Sequence, residues 1–135
     1  MALTMSVAVR NARLDAIETA IGTSAILKIR SGAPPVNVAT DSSGTVLATL
    51  NLPADYMSNA SAGTKSKLGT WEDVTADAAG TAGHFEITAS DGTTVHLRGT
   101  VTATGGGGDL TLDNTSIALN QDVLITAFAI TDGNA

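Results

Sequence analysis

Hydrophobic residues repeat with a helical period only near the amino end of the chain. Between residues 6 and 21 they recur at spacings of three, four and seven, so that they fall on one side of a helix. Ser6 can cap the amino end through its hydroxyl, and Gly22 stands where a left-handed residue ends a helix. The apolar stripe consists of Val7, Leu14, Ile17 and Ile21. The pattern predicts one α-helix over residues 6–21.

The apolar stripe of this helix is narrow. A narrow stripe on a terminal helix either packs across its own domain or enters a groove of a neighbouring protein, and the sequence leaves both alternatives open. Trp71 is likewise either a core residue or an interface residue. The interface is the sharper hypothesis, because tryptophan is enriched among the residues that dominate binding energy. The predicted partner interface comprises Val7, Arg10, Leu14, Ile17, Ile21 and Trp71.

The hydrophobic period changes to two after the predicted helix, as in β-strands. Residues 25–30 alternate apolar side chains with Lys28 and Arg30, which predicts a short strand with a solvent-facing basic side. The segment SGAPP at residues 31–35 then excludes regular pairing, because proline cannot donate to a sheet. Residues 45–52 alternate again and predict a half-buried strand.

The strongest local signal is a β-hairpin over residues 84–101. A two-residue loop at Asp91 and Gly92 would place apolar residues opposite polar ones, so the pattern rejects it. A three-residue loop over residues 90–92, with Gly92 left-handed in a bulge, brings the apolar rows together on one face. This register pairs Ile87 with Val95, Phe85 with Leu97, Glu86 with His96 and His84 with Arg98. Both histidines are then predicted on an exposed face.

Three further segments carry weaker patterns. Residues 53–83 are small and polar, apart from a patch around Trp71, and predict a short strand there within a loop that carries contacts. The four glycines at 105–108 predict a turn or hinge. Residues 123–131 read as one strand with two apolar faces, which is either central or covered by another subunit.

These patterns predict the fold class and the domain organisation. The protein is expected to be mainly β, with a β-sandwich or jelly-roll-like body and one amino-terminal α-helix. Residues 1–24 form an arm and helix, and residues 25–135 form a single β-sandwich domain. Aromatic residues are only 3% of the chain, so the core must be built from small aliphatic side chains.

The distribution of charge excludes some classes of partner. Residues 1–30 carry four bases and two acids, whereas the remainder carries three bases and eleven acids. An acidic body repels phosphate backbones and anionic lipid, so neither nucleic acid nor a membrane is expected as a partner. The uneven charge either orients the chain on an oppositely charged protein surface or serves only solubility. The absence of a signal pattern and of a long apolar run predicts a soluble protein made in a cytoplasm.

Candidate chemistry is sparse. His84 and His96 are the only bases that titrate near neutral pH, and the chain has no G-x-S-x-G nucleophile motif. The acids near Asp109 lack the spacing of a calcium loop, and the glycines at 105–108 precede a strand instead of the helix that a phosphate site needs. There is no cysteine for a thiolate metal site. The sequence therefore predicts no catalytic residue, no metal and no cofactor.

Four segments of the chain carry a further signal: AVRNARLDAIETAIGTSAILKIRSGAPP, GTVLATLNLP, GTAGHFEITASDGTT and GTVTATGGGGDLTLDNTSIA. They cover most of the chain and resemble a family of small structural proteins from the virions of tailed bacteriophages. The resemblance implies a capsid decoration or cement protein, with a β-sandwich body that bridges major capsid subunits. It implies partners among virion proteins, above all the major capsid protein, and location in the virion after synthesis in the bacterial cytoplasm. Self-association as a dimer or trimer is also expected.

Alternative functions remain open at this stage. The chain is alternatively a neck, tail or fibre-associated virion protein that contacts a host receptor, a host glycan or other tail parts. A small hydrolase is the remaining enzymatic hypothesis, and it would have to use His84 or His96 as its base. The preferred expectation is a non-enzymatic protein that works by binding other protein surfaces.

Overall fold

The computed structural model describes residues 2–135 and is mainly β. The prediction of a β-rich chain with one helix near its amino end is confirmed. The elements within these residues are α1 (Val7–Ile21), β1 (Ile26–Ser31), β2 (Val46–Asn51), β3 (Thr64–Ser66), β4 (Trp71–Asp73), β5 (Gly80–Thr88), β6 (Val95–Ala103), β7 (Leu110–Leu112), β8 (Ser116–Ile117), β9 (Val123–Ile125) and β10 (Ala129–Thr131).

One large sheet forms the main layer. Its strand order is β2-β1-β5-β6-β7, and β8 pairs with the beginning of β5. The pairs are antiparallel except for β6 and β7, which run parallel. Two short antiparallel ribbons, β3 with β10 and β4 with β9, supply strands outside this sheet. The arrangement is a curled mixed sheet with a sandwich-like body.

The hydrophobic core lies against one face of the large sheet, the inner face. Leu27 and Ile29 of β1 stand opposite Ile87 and Phe85 of β5, and all four side chains are buried. The β4-β9 ribbon contributes Trp71, Val123 and Ile125 to the same cluster, the segment between β9 and β10 contributes Phe128, and α1 contributes Ile21. The helix is therefore part of the same packed unit as the strands.

All four aromatic residues of the chain form one continuous array in this core. The ring centroid of Trp71 lies 6.4 Å from that of Tyr56 and 5.5 Å from that of Phe128. Phe128 in turn meets Phe85 edge to face at 5.6 Å. Such tilted and edge-on contacts are favourable for aromatic pairs. The array joins the ribbons to the large sheet across a core that is otherwise aliphatic.

The helix begins and ends as predicted. The Ser6 hydroxyl accepts from the Val9 amide at 3.3 Å, and Gly22, with φ of 85°, donates its amide to the Glu18 carbonyl. Lys65 of β3 fixes the helix to its ribbon, because its buried ammonium contacts the carboxylates of Asp15 and Glu18 at 2.9 Å each. A buried charge is tolerated when it is paired in this way.

The hairpin between β5 and β6 forms, but the predicted register is wrong. Observed partners are Ile87 with Leu97, Phe85 with Gly99, Glu86 with Arg98 and His84 with Thr100. The loop is one residue longer than predicted, since the Ala89 amide donates to the Thr94 carbonyl, and the register then shifts at a bulge around His96. Gly92 is left-handed as predicted. The two differences together move each pair by two residues.

Asp91 stabilises the longer loop and provides a test of its geometry. Its carboxylate accepts from the Thr94 hydroxyl and from the amides of Thr94 and Thr93, which lowers its pKa from 3.8 to about 2. Because the folded pKa is depressed, the stabilisation is present above pH 3.8 and is lost as the pH falls through about 2. An NMR titration should find this value, and Asp91→Asn should remove this component of the pH dependence of stability. A carboxyl that titrates near 3.8 would contradict the loop geometry.

The last predicted strand is also different in the structure. Residues 123–131 form two short strands, β9 and β10, which belong to different ribbons. The chain breaks between them at residues 126–128, and this break changes which alternate residues face inward. Val123 and Ile125 are buried before the break and Phe128 is buried at its last position, whereas Leu124 is 48% exposed. The segment therefore has one buried face, so the prediction of a single central strand is wrong, whereas the alternative that another subunit covers its exposed residues stays a prediction.

Candidate functional site

The connection between β1 and β2, residues 32–45, crosses the outer face of the large sheet, and we call it the strap loop. Its base is closed by Ser31 and Thr45, whose backbone groups bond at 3.0 Å. From there the loop reaches Arg98 on β6, past both β1 and β5 in the strand order. A connection of this length without strands or helices commonly carries function.

Buried charged groups lie beneath the strap loop. The Glu86 carboxylate contacts Arg30 Nε at 2.8 Å with one oxygen and Arg98 at 3.0 Å with the other. The side chains are 2%, 13% and 3% exposed for Glu86, Arg30 and Arg98, respectively. We call this group the Arg-Glu-Arg triad. Its members belong to three adjacent strands, so the sheet itself positions them.

The triad holds the strap loop by direct hydrogen bonds. Arg98 donates to the carbonyls of Asn37 and Thr40, at 2.6 and 3.0 Å, and to the Ser42 hydroxyl. Ser42 donates in turn to the second Glu86 oxygen at 2.8 Å. Hydrogen bonds to charged groups are stronger than neutral ones. The shape of the loop is therefore set by guanidinium and carboxylate groups that the sheet supplies.

The carboxylate of the triad stays ionised. Burial raises the pKa of Glu86, but hydrogen bonds from Ser42, Arg98 and Arg30 outweigh that effect, so the pKa lies below its usual 4.5. Because the pKa of Glu86 is lowered by folding, the ionised carboxylate stabilises the folded protein. The triad contributes its full stability above pH 4.5, and the contribution is lost as the pH falls through the lowered pKa.

The start of the strap loop explains the environment of His84. Gly32 passes so close over β5 that a Cβ on Gly83 would lie 2.1 Å from the Gly32 carbonyl oxygen. Nδ1 of His84 lies 2.9 Å from that same oxygen, and the side chain is fully buried. The prediction of two exposed histidines is therefore wrong for His84, because the strap loop covers it. His96, at the bulge, is half-buried.

The strap loop presents apolar side chains to solvent. Val36 is 90% exposed and Val38 is 46% exposed. Asn37 between them fixes the turn, because its side-chain oxygen accepts from the amides of Ala39 and Thr40 at 2.9 and 3.0 Å. A loop ordered before binding loses less conformational entropy when a partner docks. The arrangement suits recognition of a protein surface.

Most residues of the predicted partner interface lie in the core of the chain. Leu14, Ile21 and Trp71 are buried, and Ile17 packs partly buried against the same cluster. Arg10 is half-buried and donates to the Asp132 carbonyl at 3.4 Å. Val7 is 47% exposed. Of the two alternatives for the stripe, the helix packs across its own domain, and Trp71 is a core residue whose indole N–H donates to the Tyr56 and Leu68 carbonyls.

Within residues 2–135, no three side chains of the metal-ligating types are grouped for an ion, and no helix is long and apolar enough to cross a membrane. Comparison with protein-family models, characterised proteins and solved structures gave no match. Function must therefore be inferred from the surface chemistry of the chain itself.

Proposed function

We propose that the chain is a non-enzymatic structural protein of a tailed-phage virion, a capsid decoration protein that binds the major capsid protein and stabilises the head. The observation that carries this proposal is the strap loop, which holds exposed Val36 and Val38 on a base of buried charges. The resemblance of the sequence to small virion proteins supports the same class of function.

The energy available at the strap loop suits a protein that acts in many copies. Complete burial of a valine side chain contributes about 1.5–3 kcal/mol, and losses on association reduce the net gain. A single loop of two exposed valines therefore binds modestly. Repeated contacts across a capsid lattice, through linked copies, multiply the effective affinity. The acidic balance of residues 31–135 predicts a basic docking surface on the capsid and binding that weakens with salt.

The proposal predicts that changes at the loop tip impair capsid binding. A double variant, Val36→Lys with Val38→Lys, should bind capsids that lack the protein at least about tenfold more weakly, because each change removes apolar contact and adds a charge that the expected basic docking surface repels. Co-sedimentation with purified capsids measures the affinity. Leu68→Lys is the matched control, since Leu68 is 42% exposed and lies outside the loop.

Thermal unfolding separates loss of binding from loss of folding. Both the double variant and the control should unfold within about 0.5 kcal/mol per change of the wild type, as exposed positions usually do. Unchanged capsid affinity in the double variant would overturn the role of the loop. Binding to purified tails instead of capsids would support the alternative of a neck, tail or fibre-associated protein.

A further inference from the structure

A second exposed apolar surface lies on the β4-β9 ribbon and the turn before β9, and we call it the ribbon patch. Side chains alternate along a strand, so the residue after buried Trp71, which is Glu72, faces outward opposite Leu124. Val74 continues the same row two residues after Glu72. The apolar side chains of the patch are those of Val74, Leu119 and Leu124, which are 64%, 59% and 48% exposed.

The ribbon patch is displayed on an ordered backbone. The Gln121 carbonyl accepts from the Ala76 amide at 2.8 Å, and the Asn120 amide donates to the Ala76 carbonyl at 2.9 Å. These bonds tie the turn that carries Leu119 to the segment after Val74. A surface that is ordered before binding loses less conformational entropy when a partner docks.

The ribbon patch carries unbalanced negative charge. Residues 70–80 and 109–125, which form the patch and its surroundings, contain acids but neither lysine nor arginine. The ion pairs within residues 2–135 lie elsewhere, and none of them uses Glu72, Asp113 or Asp122. A hydrogen bond with Asp122, and then the negative charge of that carboxylate, raise the pKa of Glu72 above 4.5. Two carboxyl groups this close together favour a cation beside them.

A small cavity opens beside Asp122 and Leu124 at the edge of the ribbon patch. Its volume is about 170 Å³, and its wall combines apolar side chains with acids. Cavities that hold a small-molecule ligand usually measure about 300–1,000 Å³, so this one has the size for a single side chain of a partner protein. The lining includes Leu112, Asp113, Ile117, Asp122 and Leu124.

We propose that the ribbon patch docks a basic apolar segment of a partner protein, with one arginine side chain of that segment in the cavity beside Asp122. The aliphatic stem of the arginine packs along Leu124, and its planar guanidinium donates to the carboxylates of Asp122 and Glu72. Aliphatic side chains next to the arginine cover Val74 and Leu119. The contact uses no residue of the strap loop, so it gives the chain a second partner surface.

A peptide titration tests the proposal. The probe is a short blocked peptide of alternating leucine and arginine, added to the isotope-labelled full chain while NMR follows the amide resonances. The resonances that shift should cluster at residues 72–74, 112–114 and 119–124. A matched peptide with citrulline in place of arginine has nearly the same shape without the charge. It should bind at least about fivefold more weakly, because it lacks the charge-assisted hydrogen bonds.

Variants that each remove one charge locate the site. Asp122→Asn should remove most of the preference for arginine over citrulline, whereas Asp55→Asn, which neutralises an exposed acid outside the patch, should leave that preference unchanged. The dispersion of the amide resonances shows whether each variant is folded. Shifts that lie elsewhere or spread evenly over the acidic surface, equal binding of the two peptides, or equal effects of the two variants would each overturn the proposal. The titration contains no capsid, so its failure is independent of the strap-loop proposal.

Discussion

Glu86→Ala is expected to lower the free energy of unfolding by about 3–5 kcal/mol, because it leaves two guanidinium groups unpaired beneath the strap loop. Removal of one partner from a buried ion pair is far more costly than loss of an exposed pair. Urea unfolding at neutral pH measures the change. Ser42→Ala is the comparison variant, and it should cost less, about 1.5 kcal/mol, because it removes hydrogen bonds to Glu86 and Arg98 but leaves both ion pairs in place.

The pH dependence gives the same prediction a second readout. The wild type should lose stability as the pH falls below 4.5 through the lowered pKa of Glu86, whereas the alanine variant should lack this component. A variant as stable as the wild type, with the same acid sensitivity, would contradict the account of the triad. Replacing Arg30, Glu86 and Arg98 together with apolar residues should restore much of the stability. The strap loop would still lack its donors, so capsid affinity should remain low.

Trp71→Ala is expected to destabilise the fold by about 3–5 kcal/mol, as large truncations in a core do. The side chain is fully buried between Tyr56 and Phe128, so its removal leaves a cavity in the middle of the aromatic array. Trp71→Phe keeps a ring but loses the indole donor to two carbonyls, and we expect a smaller loss.

Chemical denaturation and capsid binding together distinguish a core role from an interface role. The structure predicts a large loss of stability for Trp71→Ala, with binding affected only through the fraction of folded protein. Normal stability with impaired binding would instead mean that Trp71 leaves the core to contact a partner. That result would contradict the packing described above.

Sequence predicted the parts of the fold that depend on local patterns. Helix α1 was predictable because its cap, its stop and its apolar stripe are close in sequence. Strands β1 and β2 were predictable from alternation. Strand β3 was missed because its central residue is Lys65, a buried base whose pairing with the helix comes from distant parts of the chain. Strand prediction relies on apolar residues at buried positions and polar residues at exposed ones, and a buried lysine is the reverse of that pattern.

The errors of register and segmentation have local physical causes. The hairpin register depended on the side chain of Asp91, which organises a loop one residue longer than the apolar pattern favoured. The segment 123–131 is apolar enough to form one strand. Because the strand is interrupted at 126–128, its first part pairs with β4 and its last part pairs with β3. Which strands a segment joins is decided by distant partners, and the pattern of one segment does not contain that information.

The candidate site was the least predictable feature. SGAPP correctly indicated a break in pairing, but nothing near it in sequence indicates that the following residues bond to Arg98 on a distant strand. The helical stripe and Trp71 illustrate the opposite problem, because apolar residues that pack inside a domain look the same in sequence as those that bind a partner. One residue in the sequence could have indicated the site. Glu86 is an acid between the buried residues Phe85 and Ile87.

A cryo-electron microscopy map of the intact phage particle tests the central claim most directly. The account predicts this fold on the outer surface of the head, in repeated copies, with the strap loop seated against the major capsid protein and Val36, which is exposed in the single chain, buried in the contact. Absence of the chain from the head, or a decorating chain whose strap loop faces solvent, would contradict it.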